Sequence, residues 1–105
     1  MQEEAPRVSV VVPTRGRPEA LERCRAALER QSRQVEVVVV EDSDGKGPAW
    51  ARNEGTRRAG GEVVCFIDDD CEPAPGWAVA LAAPILAGEV EASTGPVAIG
   101  EGATA

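Results

Sequence analysis

Asp68, Asp69 and Asp70 stand in a row at the end of an apolar run, Val63-Val64-Cys65-Phe66-Ile67. If extended geometry persists through the triplet, Asp68 and Asp70 project to one side and Asp69 to the other. Two carboxylates on one side suit a hard cation. Mg²⁺ or Mn²⁺ takes oxygen ligands, keeps several waters, and is commonly shared between one or two carboxylates and substrate phosphates. The triplet is therefore a candidate metal and diphosphate site, with a solvated acidic turn as the plain alternative. Other polar groups follow apolar runs in the same way: Pro13-Thr14-Arg15 after Val8–Val12, and Glu41-Asp42-Ser43-Asp44 after Val35–Val40. Arg52 lies early in a helical segment, where free backbone N–H groups favour anions, and reads as a phosphate partner. Taken by itself it reads more readily as half of a surface ion pair, with Glu54 or the Asp-rich loop.

The elements that must position these groups alternate. Val8-Ser9-Val10-Val11-Val12 is β-branched almost throughout and stops at a turn, as a central parallel strand does. Pro18 suits a first helical position, and Ala20, Leu21, Cys24, Ala27 and Leu28 then share one face of a helix of about four turns. Val35–Val40 is again nearly continuously apolar, which predicts burial on both faces. Gly47-Pro48 opens a helix through Ala59 with small residues, Ala49, Ala51, Gly55 and Ala59, that permit close approach to a sheet. After the acidic strand comes a proline-rich loop, Cys71–Gly76. Trp77–Ala87 is then a nearly uncharged helix in which Pro84 predicts a kink or a stop near Ala83, and both faces need cover. Glu91–Ile99 is a weak strand broken by Gly95-Pro96.

The predicted fold class is thus α/β, three αβα layers around a small, mostly parallel, Rossmann-like sheet. Parallel strands all end on one rim, so Thr14, Arg15, Asp42, Arg52 and Asp68–Asp70 gather there although scattered in sequence.

Composition narrows the classes. The 105 residues allow one domain, with residues 1–6 and 100–105 as loose ends. With 18 acidic against 11 basic residues, a net charge of −7 and no histidine, a broad nucleic-acid surface is excluded. The three cysteines form no Cys-x-x-Cys pair and, without histidine, no zinc site, so a reduced, cytoplasmic chain is expected. Cys24 and Cys65 fall on core positions; Cys71 is expected to be accessible, with its thiol pKa raised by the carboxylates beside it. Trp77 reads as the anchor of its helix rather than a platform for a ligand. The acidic N-terminus is unlike a signal peptide, and no apolar run reaches a membrane span.

Four blocks together resemble glycosyltransferase family 2, the GT-A fold, in its nucleotide-binding half. They are Val8 to Arg15 with the helix after it, Val37–Asp42, Gly47–Gly55, and Gly61–Asp70, so the resemblance spans about residues 7–98. It implies that Pro13 and Thr14 line a nucleoside pocket, with Arg15 beside them. It also implies that Asp42 accepts from a base N–H, and that Arg52 approaches the ribose or diphosphate. Asp68–Asp70 become an Asp-x-Asp-type element, with Asp69 near the nucleotide and Asp68 and Asp70 as metal ligands. The implied cofactor is Mg²⁺ or Mn²⁺, the implied donor a UDP- or GDP-linked sugar, and the implied reaction inverting transfer to an acceptor hydroxyl.

The sequence departs from that family in two places. The link from Asp44 to Gly47 is very short, which leaves base selectivity open, and no residue matches the family's catalytic base, since Glu89, Glu91 and Glu101 read as solvated groups. The reading is therefore of an incomplete domain: a fragment, or one completed by another subunit or by a missing C-terminal half. Two further classes stay open at this point. One is a nucleotidyltransferase-like phosphate protein, for which Arg15-Gly16-Arg17 is a faint signal. The other is a non-catalytic module that self-associates through an uncovered helix and sheet edge.

Overall fold

A computed structural model of the chain describes residues 8–88, and the expected strand at Glu91–Ile99 lies outside them. The elements alternate as β1 (Val8–Thr14), α1 (Pro18–Glu29), β2 (Glu36–Glu41), α2 (Pro48–Arg58), β3 (Val63–Phe66) and α3 (Trp77–Leu86). The three strands form one all-parallel sheet in the order β2-β1-β3. β1 is central, as expected from its almost wholly β-branched run, and Val8, Val10, Val11 and Val12 are all fully buried.

Alternation along β1 divides the core between two faces. Val8, Val10 and Val12 pack with Cys24 and Leu28 of α1, Val63 and Cys65 of β3, and Trp77, Ala78 and Ala82 of α3. Val11 faces the other way, with Val38, Val40 and Ala51 of α2. Helices thus cover both faces, α1 and α3 on one and α2 on the other, which gives three layers. On the α2 face the close approach depends on Gly55: a Cβ there would lie 2.2 Å from Val11 Cγ1. Trp77 is buried in the α3 layer, as an anchor should be.

Four expectations are corrected. β2 is not buried on both faces; it is an edge strand of the described sheet, and only Val38 and Val40 of it are buried. α1 is shorter than expected, 12 residues, because the chain leaves the helix at Arg30. α3 does not stop at Ala83. It continues to Leu86, with Ala87 N–H donating to the Ala83 carbonyl at 2.9 Å. Pro84 removes only the bond to the carbonyl of Ala80, an exposed residue where water can serve instead. Finally, Cys71 is buried, because the chain turns at Asp69-Asp70 and returns Cys71 to the core beside Cys24 and Trp77. One face of α3 stays open among the described residues, where Val79 is exposed.

Candidate functional site

The parallel sheet delivers three loops to one rim, and between them lies a cleft of about 580 Å³. Its wall is made by Pro13 and Thr14 at the end of β1 with Arg15 and Arg17 just beyond it, Asp42, Gly45 and Gly47 after β2, Pro48, Ala51 and Arg52 at the start of α2, and Asp68, Asp69 and Asp70 after β3. Every candidate residue from the sequence is brought to this one cleft. They do not behave alike within it.

Asp42 is buried and organises the loop that follows it. Its Oδ1 accepts from the Lys46 N–H at 2.7 Å and its Oδ2 from the Gly47 N–H at 2.8 Å. These donors lie just ahead of α2, so the carboxylate sits at the positive end of that helix. The Gly47 N–H, with help from the Lys46 N–H and the nearby Arg15 guanidinium, holds the Asp42 carboxyl below its usual range against the opposing effect of desolvation. Each carboxylate oxygen keeps a lone pair for a further donor. The loop also needs Gly45, at φ 70°, where the Arg15 guanidinium would lie 3.1 Å from any Cβ. Arg15 therefore packs on the Asp42 loop.

Asp69 is the other inward-facing carboxylate. The Thr14 hydroxyl donates to it at 2.8 Å, and both groups are buried, so this bond ties the acidic loop to the end of β1. Asp68 and Asp70 are exposed. The split into inner and outer carboxylates agrees with the alternation expected from sequence, but its cause differs: β3 ends at Phe66, and a turn at Asp69-Asp70 sets the directions.

Asp68, Asp70 and Cys71 each bring one donor atom within 4.8 Å of the others. Two exposed carboxylate oxygens are a fitting pair for a hard divalent cation. The thiol is not. Burial first, then the charges of Asp70 and Asp68, push the Cys71 pKa up, so it remains a protonated, soft neighbour. Cys24, whose thiol points to the Asp68 carbonyl at 3.7 Å, is pushed up to about 12, chiefly by burial.

Arg52 is exposed on the cleft wall, and its expected pairing with Glu54 does not form: Glu54 is held by Arg57 and Arg58 instead. Its guanidinium has no ion-pair partner among the described residues. Two residues of consequence were missed in the sequence reading. Arg17 Nη1 lies 3.4 Å from Asp69 Oδ1 and 3.8 Å from Asp70 Oδ2, so a cation already stands beside the acidic loop. The only signal for it was the Arg15-Gly16-Arg17 pattern. Gln31, beyond α1, donates to the Ala74 carbonyl at 2.8 Å and accepts from the Ala78 N–H at 2.9 Å, which pins the proline-rich loop and caps α3; nothing in its spacing announces this.

Among the described residues no helix is long and apolar enough to cross a membrane. No individual curated protein matches the chain. Residues 43–104 match the family Glycosyl transferase family 2, a span that takes in α2, Arg52, the acidic triplet and α3 and begins just after Asp42. Since that match covers more than half of the 105 residues, the chain belongs to glycosyl transferase family 2.

Proposed function

We propose that the cleft binds a nucleoside diphosphate sugar, UDP- or GDP-linked, together with Mg²⁺ or Mn²⁺, for inverting transfer of the sugar to an acceptor hydroxyl. The observation that carries this reading is the division of labour along one cleft. A loop-pinned carboxylate, Asp42, stands at the β2 end, the exposed pair Asp68 and Asp70 at the β3 end, and Arg15 and Arg52 also line the wall. That order suits a ligand with a hydrogen-bonding base at one end and a diphosphate at the other.

In this reading Asp42 accepts from the base N–H with the lone pairs its own loop leaves free. Pro13 and Thr14 line the nucleoside, and Arg15 and Arg52 meet the ribose and the phosphates. Asp69 contributes by fixing the loop through Thr14 Oγ1. Asp68 and Asp70 would hold the cation through their carboxylate oxygens. A cation held there stabilises the negative charge that develops on the departing nucleoside diphosphate. The acceptor hydroxyl would attack in line from the far side of the sugar, and no described residue is assigned as its base. The three free thiols fit a cytoplasmic setting.

Thermal melting tests the reading. UDP or GDP with Mn²⁺ is expected to raise the melting temperature in proportion to the logarithm of ligand concentration, and Asp70→Ala to remove that rise. A panel of nucleoside diphosphates with metal that leaves the melting temperature unmoved would rule the reading out.

A further inference from the structure

We propose that Arg17 is a resident counter-ion of the acidic loop, which a divalent cation must displace from Asp70, so that Arg17 sets the affinity of the loop for metal. This rests on reading Asp68 and Asp70 as the metal-holding pair. It assigns to Arg17 a positioning role that neither the family match, which begins at residue 43, nor the sequence pattern provides.

The geometry is that of a shared cation. One guanidinium nitrogen, Nη1, faces Asp69 Oδ1 at 3.4 Å and Asp70 Oδ2 at 3.8 Å. Asp69 is locked, because its other oxygen accepts from the buried Thr14 hydroxyl. Asp70 is not: its side chain is 52% exposed, and it belongs to the cluster with Asp68 and Cys71. A dication bound between Asp68 and Asp70 would therefore stand within a few ångströms of a positive guanidinium, and the two repel.

Arg17 is built to yield. Its backbone is held at the start of α1, with its carbonyl accepting from the Leu21 N–H at 2.9 Å, but its side chain is 60% exposed and caps nothing. An ion pair this exposed contributes little, so the side chain can leave Asp70 for the open cleft at small cost. Until it does, it offsets part of the negative charge that would attract a cation.

The test is titration of Mn²⁺ alone, followed by the electron paramagnetic resonance signal of the free ion, on the wild-type chain, Arg17→Gln and Arg17→Lys. Arg17→Gln is expected to bind Mn²⁺ about three- to tenfold more tightly than wild type, as removal of one nearby, partly screened positive charge implies. Arg17→Lys keeps the charge and should fall between the two. Unchanged or weaker affinity in Arg17→Gln, equal affinities in the two variants, or no Mn²⁺ binding by any of the three would overturn the proposal. A measurement on the wild type alone guards against a variant that misfolds. Mg²⁺ should shift the Arg17 side-chain N–H resonance as the guanidinium leaves Asp70, and a resonance that does not move counts against displacement. UDP and GDP binding is read separately. Tighter Mn²⁺ binding by Arg17→Gln without any nucleotide binding leaves the role of Arg17 intact and removes only the donor reading.

Discussion

Glu36 and Asp42 stand at opposite ends of the second strand and use the same interaction for different ends. Glu36 Oε1 accepts from the Gly60 N–H at 2.8 Å and the Ser9 hydroxyl at 2.6 Å, while Ser9 Oγ in turn accepts from the Gly61 N–H at 2.9 Å. Asp42 also accepts two donors, here both backbone N–H groups of a glycine-containing loop. In both, those donors hold the carboxyl below its ordinary range, chiefly the Gly60 N–H for Glu36 and the Gly47 N–H for Asp42. The surroundings separate them. Around Glu36 the two glycines close the link from α2 to β3 onto the sheet, and the polar groups satisfy one another. Around Asp42 the loop opens on a cleft whose wall also holds Arg15, Arg17, Arg52 and the acidic triplet. A pinned carboxylate is thus a structural device at one rim and a candidate binding group at the other, and what distinguishes them is the unspent charge beside it.

Both rims depend on α2, the helix that spans them. Gly55→Ala would drive a Cβ into Val11, lift α2 from the sheet, and disturb both loops together. Chemical denaturation should show a loss of about 1–3 kcal/mol, and nucleotide affinity should fall with it. Next in size, Asp42→Ala leaves the Lys46 and Gly47 N–H groups without their acceptor. Calorimetry should then show at least about tenfold weaker binding of UDP or GDP with Mn²⁺, the worth of one hydrogen bond to a charged group. Glu36→Gln should cost less than about 1 kcal/mol in stability, because the group is partly solvated, and should leave nucleotide binding unchanged. If Glu36→Gln weakened binding as much as Asp42→Ala, the division between the two rims would fail.

The smallest effect is on pH. Both carboxyls have folded pKa values below the ordinary 3.8 of Asp and 4.5 of Glu, so the folded state binds fewer protons than the unfolded state near those values. Their stabilisation is complete above the ordinary values and is lost as pH falls through the lowered ones. Melting temperature should therefore decline below about pH 4.5, and the decline should be shallower in Glu36→Gln.

Much of this rim was legible in the sequence because two separate signals agree on it. Each strand is an apolar run that stops at polar groups, and alternation with helices forces the strands to be parallel, which puts those stops on one edge. The run Val8–Val12 pointed to a central strand, and the strand order agrees for β1. β2 looked equally buried because four consecutive valines satisfy either position, and only the strand order tells an edge from a centre. Cys71 was misplaced for a different reason: its place beside exposed carboxylates suggested solvent, whereas it lies on the inward side with Asp69 and joins the core with Cys24 and Trp77. Arg17 and Gln31 lie outside any periodic pattern. Their partners, Asp69 and Asp70 for one and Ala74 and Ala78 for the other, are joined to them only by the packing of distant loops.

In the function proposed for it, the cleft holds a nucleoside diphosphate through Asp42 at one end and a cation on Asp68 and Asp70 at the other. Calorimetric titration of UDP and of GDP into the chain, with and without Mn²⁺, tests it most directly when Asp70→Ala is run beside Glu36→Gln. Saturable binding of at least one nucleotide is expected, requiring Mn²⁺, disappearing in Asp70→Ala and persisting in Glu36→Gln. Binding that ignores Mn²⁺ and survives Asp70→Ala, or no binding of either nucleotide, would contradict it.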